Sequence, residues 1–317
     1  MYSTVFTFSG QGSQYFQMGL PLFEKNETFR RCMTHMDGIV EQLSGMSVLA
    51  RLYDPGSSKG AIFDRLALSH PAIFMVEYSL AQALLQEGVQ PELTLGASLG
   101  TFAAATVAGI LRLEEALFAV VRQAELVEQL CKPGAMIAIL GSPELCDEPF
   151  LRLHSELAAV NFDSHFVVST TQHGRAGIEV ELRRRGLTFQ RLPVNFAFHS
   201  KWIDEAKEPL RDLGRSLARR SARIPMVCCE SAQQLWHLED DYLWNVVRGP
   251  IRFQQGIAAL ERTGAYRYID MSPASTLTTL LRYCLRAESR SKAHGILSPF
   301  GGDMTSFDAL AHIAEAN

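Results

Sequence analysis

At 317 residues the chain can bury a large core, enough for one large domain with an insertion or subdomain. It is 47% hydrophobic and 20% charged, ordinary for a globular enzyme, and its net charge of −4 gives no electrostatic case for nucleic-acid binding. No apolar run is long enough to cross a bilayer, so no membrane partner is expected, and six scattered cysteines without a C-x-x-C fit a reduced, cytoplasmic setting.

Residues 1–8 lack a basic region and read as a first strand, not a signal peptide. The strand breaks into Ser9-Gly10-Gln11-Gly12-Ser13-Gln14, which lacks the lysine and the spacing of a phosphate-binding loop. Alone this is a plain loop. Beside an active site, the Gln11 N–H, flanked by glycines, could instead point outward as an anion donor. Residues 22–54 read as helical. A helix with apolar residues at helical spacing follows, its start marked by Ser69 and Pro71. His70 at that entrance reads as a polar packing residue.

Leu93-Thr94-Leu95 has strand character, and Gly96-Ala97-Ser98-Leu99-Gly100 follows, then a run of small residues suited to a buried helix. A strand, G-x-S-x-G and a helix in that order are what a nucleophile elbow requires. The glycines allow a sharp turn with Ser98 at its apex, and the start of the helix makes the Leu99 N–H the first oxyanion donor. A glycine-flanked turn capped by Ser98 is the plainer alternative. Residues 114–127 form another amphipathic helix.

Beyond Pro133-Gly134 the pattern reads as a strand over 135–140, a helix over 143–157, strands over 158–162 and 166–171, a helix over 178–185 and a strand over 188–194. That βαββαβ run is a small ferredoxin-like α+β subdomain over 127–194, inserted in a large α/β-hydrolase-like domain with a parallel sheet over 1–126 and 195–317. His199, at the crossing back to the large domain, is the strongest base among nine histidines. Arg183, Arg184 and Arg185 are the densest basic run and read as a solvated helix face or as a docking patch. Cys228-Cys229 reads as strand packing, and no metal site is expected. The segment after Phe300 reads as peripheral.

Taken together, these pieces resemble the malonyl-CoA:acyl-carrier-protein transacylases and the acyltransferases of polyketide synthases, over nearly the whole chain. The resemblance rests on Gly10-Gln11-Gly12-Ser13-Gln14 with Met18-Gly19, on His70-Pro71-Ala72, on the elbow Gly96-Ala97-Ser98-Leu99-Gly100 and on Phe198-His199-Ser200. It extends to Asn245-Val246-Val247-Arg248-Gly249-Pro250-Ile251-Arg252-Phe253 and to Ser272-Pro273-Ala274-Ser275-Thr276-Leu277. Six motifs in the family's order are far more specific than any one. By that resemblance Ser98 is the nucleophile and His199 the base of a Ser/His dyad. The N–H groups of Gln11 and Leu99 form the oxyanion hole, each such donor being worth about 3–4 kcal/mol. Asn245 lies in the segment whose carbonyl orients the histidine, and Asn161 lines the crevice. No cofactor is implied. The acyl group is carried on phosphopantetheine, and an acyl carrier protein is the expected partner.

Three departures bear on the substrate. The arginine that grips a malonyl carboxylate in the family aligns with Gln123, and its following glycine with Ala124. Arg122 is one residue early, about 100° round a helix; if the alignment moved by one residue, Arg122 would be the clamp. A neutral amide leaves a buried carboxylate uncompensated at a cost of several kcal/mol. Ala97 replaces the usual histidine before the nucleophile, and Phe196 replaces the first histidine of H-A-F-H, which with Phe198 makes a more apolar pocket. The expected function is hydrolysis of uncharged acyl groups from carrier-protein thioesters through acyl-Ser98. A free-standing acyltransferase loading malonyl or an uncharged acyl group, and a non-catalytic docking protein, are the alternatives.

Overall fold

The computed structural model describes residues 2–315, with side chains to residue 312. Its strands are β1 (Ser3–Phe8), β2 (Leu93–Gly96), β3 (Gly134–Leu140), β4 (Ser155–Phe162), β5 (His165–Thr171), β6 (Phe189–Arg191), β7 (Met226–Cys228), β8 (Gln233–Leu235), β9 (Tyr266–Asp270) and β10 (Lys292–Gly295). Six form one sheet in the order β10-β9-β1-β2-β7-β8, parallel except for β8 at the edge. Helices cover both faces, as buried parallel strands require. On β1, Phe6 and Phe8 pack with Phe74 and Phe102 on one side, and Val5 packs with Leu95, Ile257 and Tyr268 on the other.

The other four strands form an antiparallel sheet in the order β4-β5-β3-β6, joined as βαββαβ, so the fold class is as expected. Strand alternation sorts the side chains of this sheet. Ile137, Ile139, Phe166 and Val168 pack on Ile178 and Leu182 of the helix Gln172–Arg184. Met136, Ala138 and Val167 point the other way, into a crevice against the parallel sheet. Entry to and exit from the small sheet meet where Gly134 N–H donates to the Asn195 carbonyl at 2.8 Å.

Three expectations change. The helix carrying His70 starts at Leu66, so Pro71 lies inside it. Its cap comes from another helix: the Glu128 carboxylate accepts from the Leu66 and Ala67 N–H groups at 2.7 and 3.3 Å. A tertiary cap leaves no local sequence signal. The helix expected over 143–157 is two short turns, Pro143–Asp147 and Pro149–Arg152, because β4 pairs with β5 from Ser155 onward. The segment after Phe300 is not peripheral, since its helix Asp303–Glu315 buries Phe307 and Leu310 in the main core; residues 316–317 lie outside the described residues.

Candidate active site

Ser98 sits between β2 and the helix Gly100–Val107 with φ of 55°, a left-handed conformation costly for a residue with a Cβ. Tight neighbours hold it there. A Cβ on Gly100 would lie 2.3 Å from the Phe8 carbonyl oxygen, so only glycine lets the helix start so close to β1. A Cβ on Gly10 would lie 2.8 Å from the Cβ of Ser98, so the Gly10-Gln11-Gly12 loop passes directly over the serine.

His199 reaches the same point from the segment after β6, with φ of 60° and its N–H donating to the Val247 carbonyl at 3.0 Å. Its Nε2 lies 2.8 Å from the Ser98 Oγ, and its Nδ1 lies 2.8 Å from the Gly249 carbonyl oxygen. A carbonyl only accepts, so Nδ1 carries the proton and the Nε2 lone pair faces the serine hydroxyl. Burial pushes the His199 pKa down to about 4, against the Gly249 hydrogen bond, which favours the charged form. The imidazole is therefore neutral at neutral pH, as a proton acceptor must be.

Asn245 does not orient this histidine. It is exposed on the helix Tyr242–Arg248, and its carbonyl is occupied by the Gly249 N–H at 2.7 Å. Gly249 is extended just past the end of that helix, so its own carbonyl turns to the imidazole.

The crevice is a cavity of about 430 Å³ lined by Gln11, Ala97, Ser98, Leu99, Gln123, Asn161, Phe198 and His199, among others. The N–H groups of Gln11 and Leu99 have no hydrogen-bond partner among the described residues, as donors awaiting an oxyanion would not. Phe196 is not in the lining; it stands one layer back, edge-on to Phe198 with ring centroids 6.4 Å apart. The helix Leu113–Leu130 settles the neighbours of Ala124. Gln123 is 4% exposed and lines the cavity, whereas Arg122 points outward and pairs with Glu125 at 2.5 Å. Among the described residues, no lysine, arginine, aspartate or glutamate lines the cavity.

Some residues around the site were not assigned to it from the sequence. His70 lines the cavity as well as packing beside Phe198. His165 also lines it and holds Asn161, with the Asn161 Nδ2 donating to its Nδ1 at 2.9 Å. Glu77 is fully buried beneath the Gly10-Gln11-Gly12 loop and accepts from the Ser9 N–H at 2.7 Å and the Ser9 Oγ at 3.1 Å. Burial pushes its carboxyl well above the usual carboxylate range. An acidic residue inside the otherwise apolar Met75-Val76-Glu77-Tyr78 was the available hint. Arg183, Arg184 and Arg185 are each paired with an acidic side chain, Glu179, Glu181 or Glu148, at 2.7–3.6 Å.

Residues 5–313 match the acyl transferase domain family. The chain belongs to that family. It is 42% identical over 305 residues to the polyketide biosynthesis acyltransferase homolog BaeD of Bacillus velezensis, covering 95% of this chain and 93% of that protein. It is 37% identical over 309 residues to the homolog PksD of Bacillus subtilis, covering 97% and 95%. Among solved structures, the loading acyltransferase of the avermectin modular polyketide synthase superposes with a TM-score of 0.89 at 27% identity, covering 98% of this chain and 99% of that one. The Streptococcus pneumoniae MCAT superposes with a TM-score of 0.80 at 20% identity over 98% of this chain and all of that one, a likeness of fold. No helix among the described residues of this family member is long and apolar enough to cross a membrane.

Proposed function

We propose that this acyl transferase family member hydrolyses uncharged acyl groups from the phosphopantetheine thioesters of acyl carrier proteins in polyketide biosynthesis. The observation that carries the reading is Gln123 facing a cavity with no lysine or arginine among the described residues of its lining, while Arg122 is held outside by Glu125. A malonyl carboxylate entering there would be desolvated without a counter-charge. The relatives named as polyketide biosynthesis acyltransferase homologs support the setting.

The chemistry follows from the dyad. The Ser98 Oγ attacks the thioester carbonyl carbon and its proton passes to the His199 Nε2. The Gln11 and Leu99 N–H groups hold the tetrahedral oxyanion. Its collapse breaks the C–S bond, and the leaving thiol takes the proton from His199, leaving acyl-Ser98. Water then attacks the ester, His199 takes its proton, and release of the acid returns that proton to Ser98. Gly249 fixes the imidazole tautomer in both halves.

Intact-mass spectrometry of acetylated and malonylated carrier protein, with no acceptor thiol added, tests this. The expected result is rapid loss of the acetyl mass, persistence of the malonyl mass, and loss of all release in Ser98→Ala. Stable acetyl-carrier protein together with fast loading from malonyl-CoA would instead make the chain a malonyl transferase. Intact acetyl- and malonyl-carrier protein, with no loading from malonyl-CoA and no acyl mass on Ser98, would favour a non-catalytic docking protein.

A further inference from the structure

We infer that this site favours an acyl chain that carries a neutral hydroxyl or ketone oxygen, as in a 3-hydroxyacyl or 3-oxoacyl group, received by His70 and Gln123. The inference rests on the proposed acyl-Ser98 reading and deepens it by naming the substrate class.

His70 is 2% exposed, its ring lines the cavity, and neither of its nitrogens has a hydrogen-bond partner among the described residues. Nδ1 is sealed from the cavity without a partner, so Nε2 is the nitrogen that faces the ligand. A buried N–H without an acceptor is penalised more than a bare lone pair. The proton therefore sits on Nε2, and His70 offers the cavity a neutral donor. Burial pushes its pKa down to about 3, which keeps the ring uncharged.

Gln123, 4% exposed on the facing helix, also has no side-chain partner among the described residues and offers a donor and an acceptor. Apolar side chains line the cavity beside them, Met136, Ala138, Val167, Leu192 and Phe198, with Gln190, Asn161 and His165 among its further polar side chains. A plain alkyl chain would bury both polar groups unpaired, and a carboxylate would lack a counter-charge. A hydroxyl or ketone oxygen satisfies both.

The test compares butyryl-, 3-hydroxybutyryl- and 3-oxobutyryl-carrier protein as substrates of the whole chain, reading kcat/KM for acyl release. The wild type is expected to favour both oxygenated chains over butyryl by about tenfold or more, the scale of one well-placed hydrogen bond. His70→Leu and Gln123→Leu should bring that ratio toward one, and His70→Gln, which keeps a donor, should retain most of it. Equal wild-type values for butyryl and 3-hydroxybutyryl, a comparison that needs no variant, would overturn the inference and leave Ser98 chemistry standing. So would an unchanged ratio in folded His70→Leu. Failure to release any chain would remove the acyl-Ser98 reading, and the inference with it.

Discussion

His199 takes its protonation state from its surroundings. Buried, with Nδ1–H committed to the Gly249 carbonyl, it has a pKa pushed down to about 4. Burial disfavours the charged ring, so the folded protein keeps the base neutral well below the usual histidine range near 6.5. The sign for activity follows. Lowering the pH from 8 removes no competent base until the medium nears that depressed value, and the rate then falls with acidity. Acyl-release kcat/KM should stay flat from about pH 8 to pH 5.5, and a half-drop near 6.5 would contradict the buried, neutral assignment. The same residue shows where reading by segment stops. Phe198-His199-Ser200 pointed to the base, but choosing Asn245 as its partner needed the phase of a helix end. The helix Tyr242–Arg248 turns Asn245 outward and leaves Gly249, one residue beyond, to accept the hydrogen bond.

At the scale of elements, two loops converge on one serine. The elbow was legible because strand, G-x-S-x-G and small-residue helix are local patterns, each dictated by close approach. The loop over it was legible as glycine-rich but not as anchored. Its anchor is Glu77, 68 residues away in sequence, through the Ser9 N–H and Oγ, with Ser9 bonding to Ser13 and Ser13 to the Gly10 carbonyl. Deleting one partner of such a buried network leaves the others unpaired. Glu77→Ala should cost about 1–3 kcal/mol in denaturant unfolding and lower kcat by displacing the Gln11 N–H. Glu77→Gln, which keeps an acceptor of the same shape, should cost much less. Equal stability of the wild type and Glu77→Ala would mean the loop is held by packing alone. The start of the helix at Leu66 was illegible for a similar reason: its cap, Glu128, belongs to another helix.

Across the whole molecule, the site exists only where the two sheets meet. The parallel sheet supplies Ser98, and the small sheet supplies the apolar wall and Asn161. The connection between β7 and β9 ties them together: the Ile251 N–H donates to the Ala158 carbonyl at 2.8 Å and the Val160 N–H to the Ile251 carbonyl at 2.9 Å. Gly249 lies two residues before that tie, so the small sheet braces the carbonyl that orients His199. Apolar runs made the small sheet and, of the parallel sheet, β1 and β2 readable from sequence. The face each turns to the other was not, because period two does not say which face is filled by ligand. The arginine run on the helix Gln172–Arg184 teaches the same lesson in charge, being paired with Glu179 and Glu181 on its own helix. Replacing Arg183 and Arg184 together with glutamine should change the KM for an acidic carrier protein by less than about twofold, since exposed pairs of this kind carry little net energy. A tenfold rise would identify that face as the docking surface after all.

The central claim, that Ser98 passes an uncharged acyl group to water, is tested most directly by isotope. Acetyl-carrier protein is treated with the wild type and with Ser98→Ala in ¹⁸O-enriched water, and the released acid and the protein masses are read together. Acetate carrying one ¹⁸O, formed at the rate at which the carrier protein loses its acetyl mass and absent with Ser98→Ala, is the predicted result. Acetyl groups that remain on Ser98 or on the carrier protein until a second thiol is supplied would contradict it and make the chain a transferase.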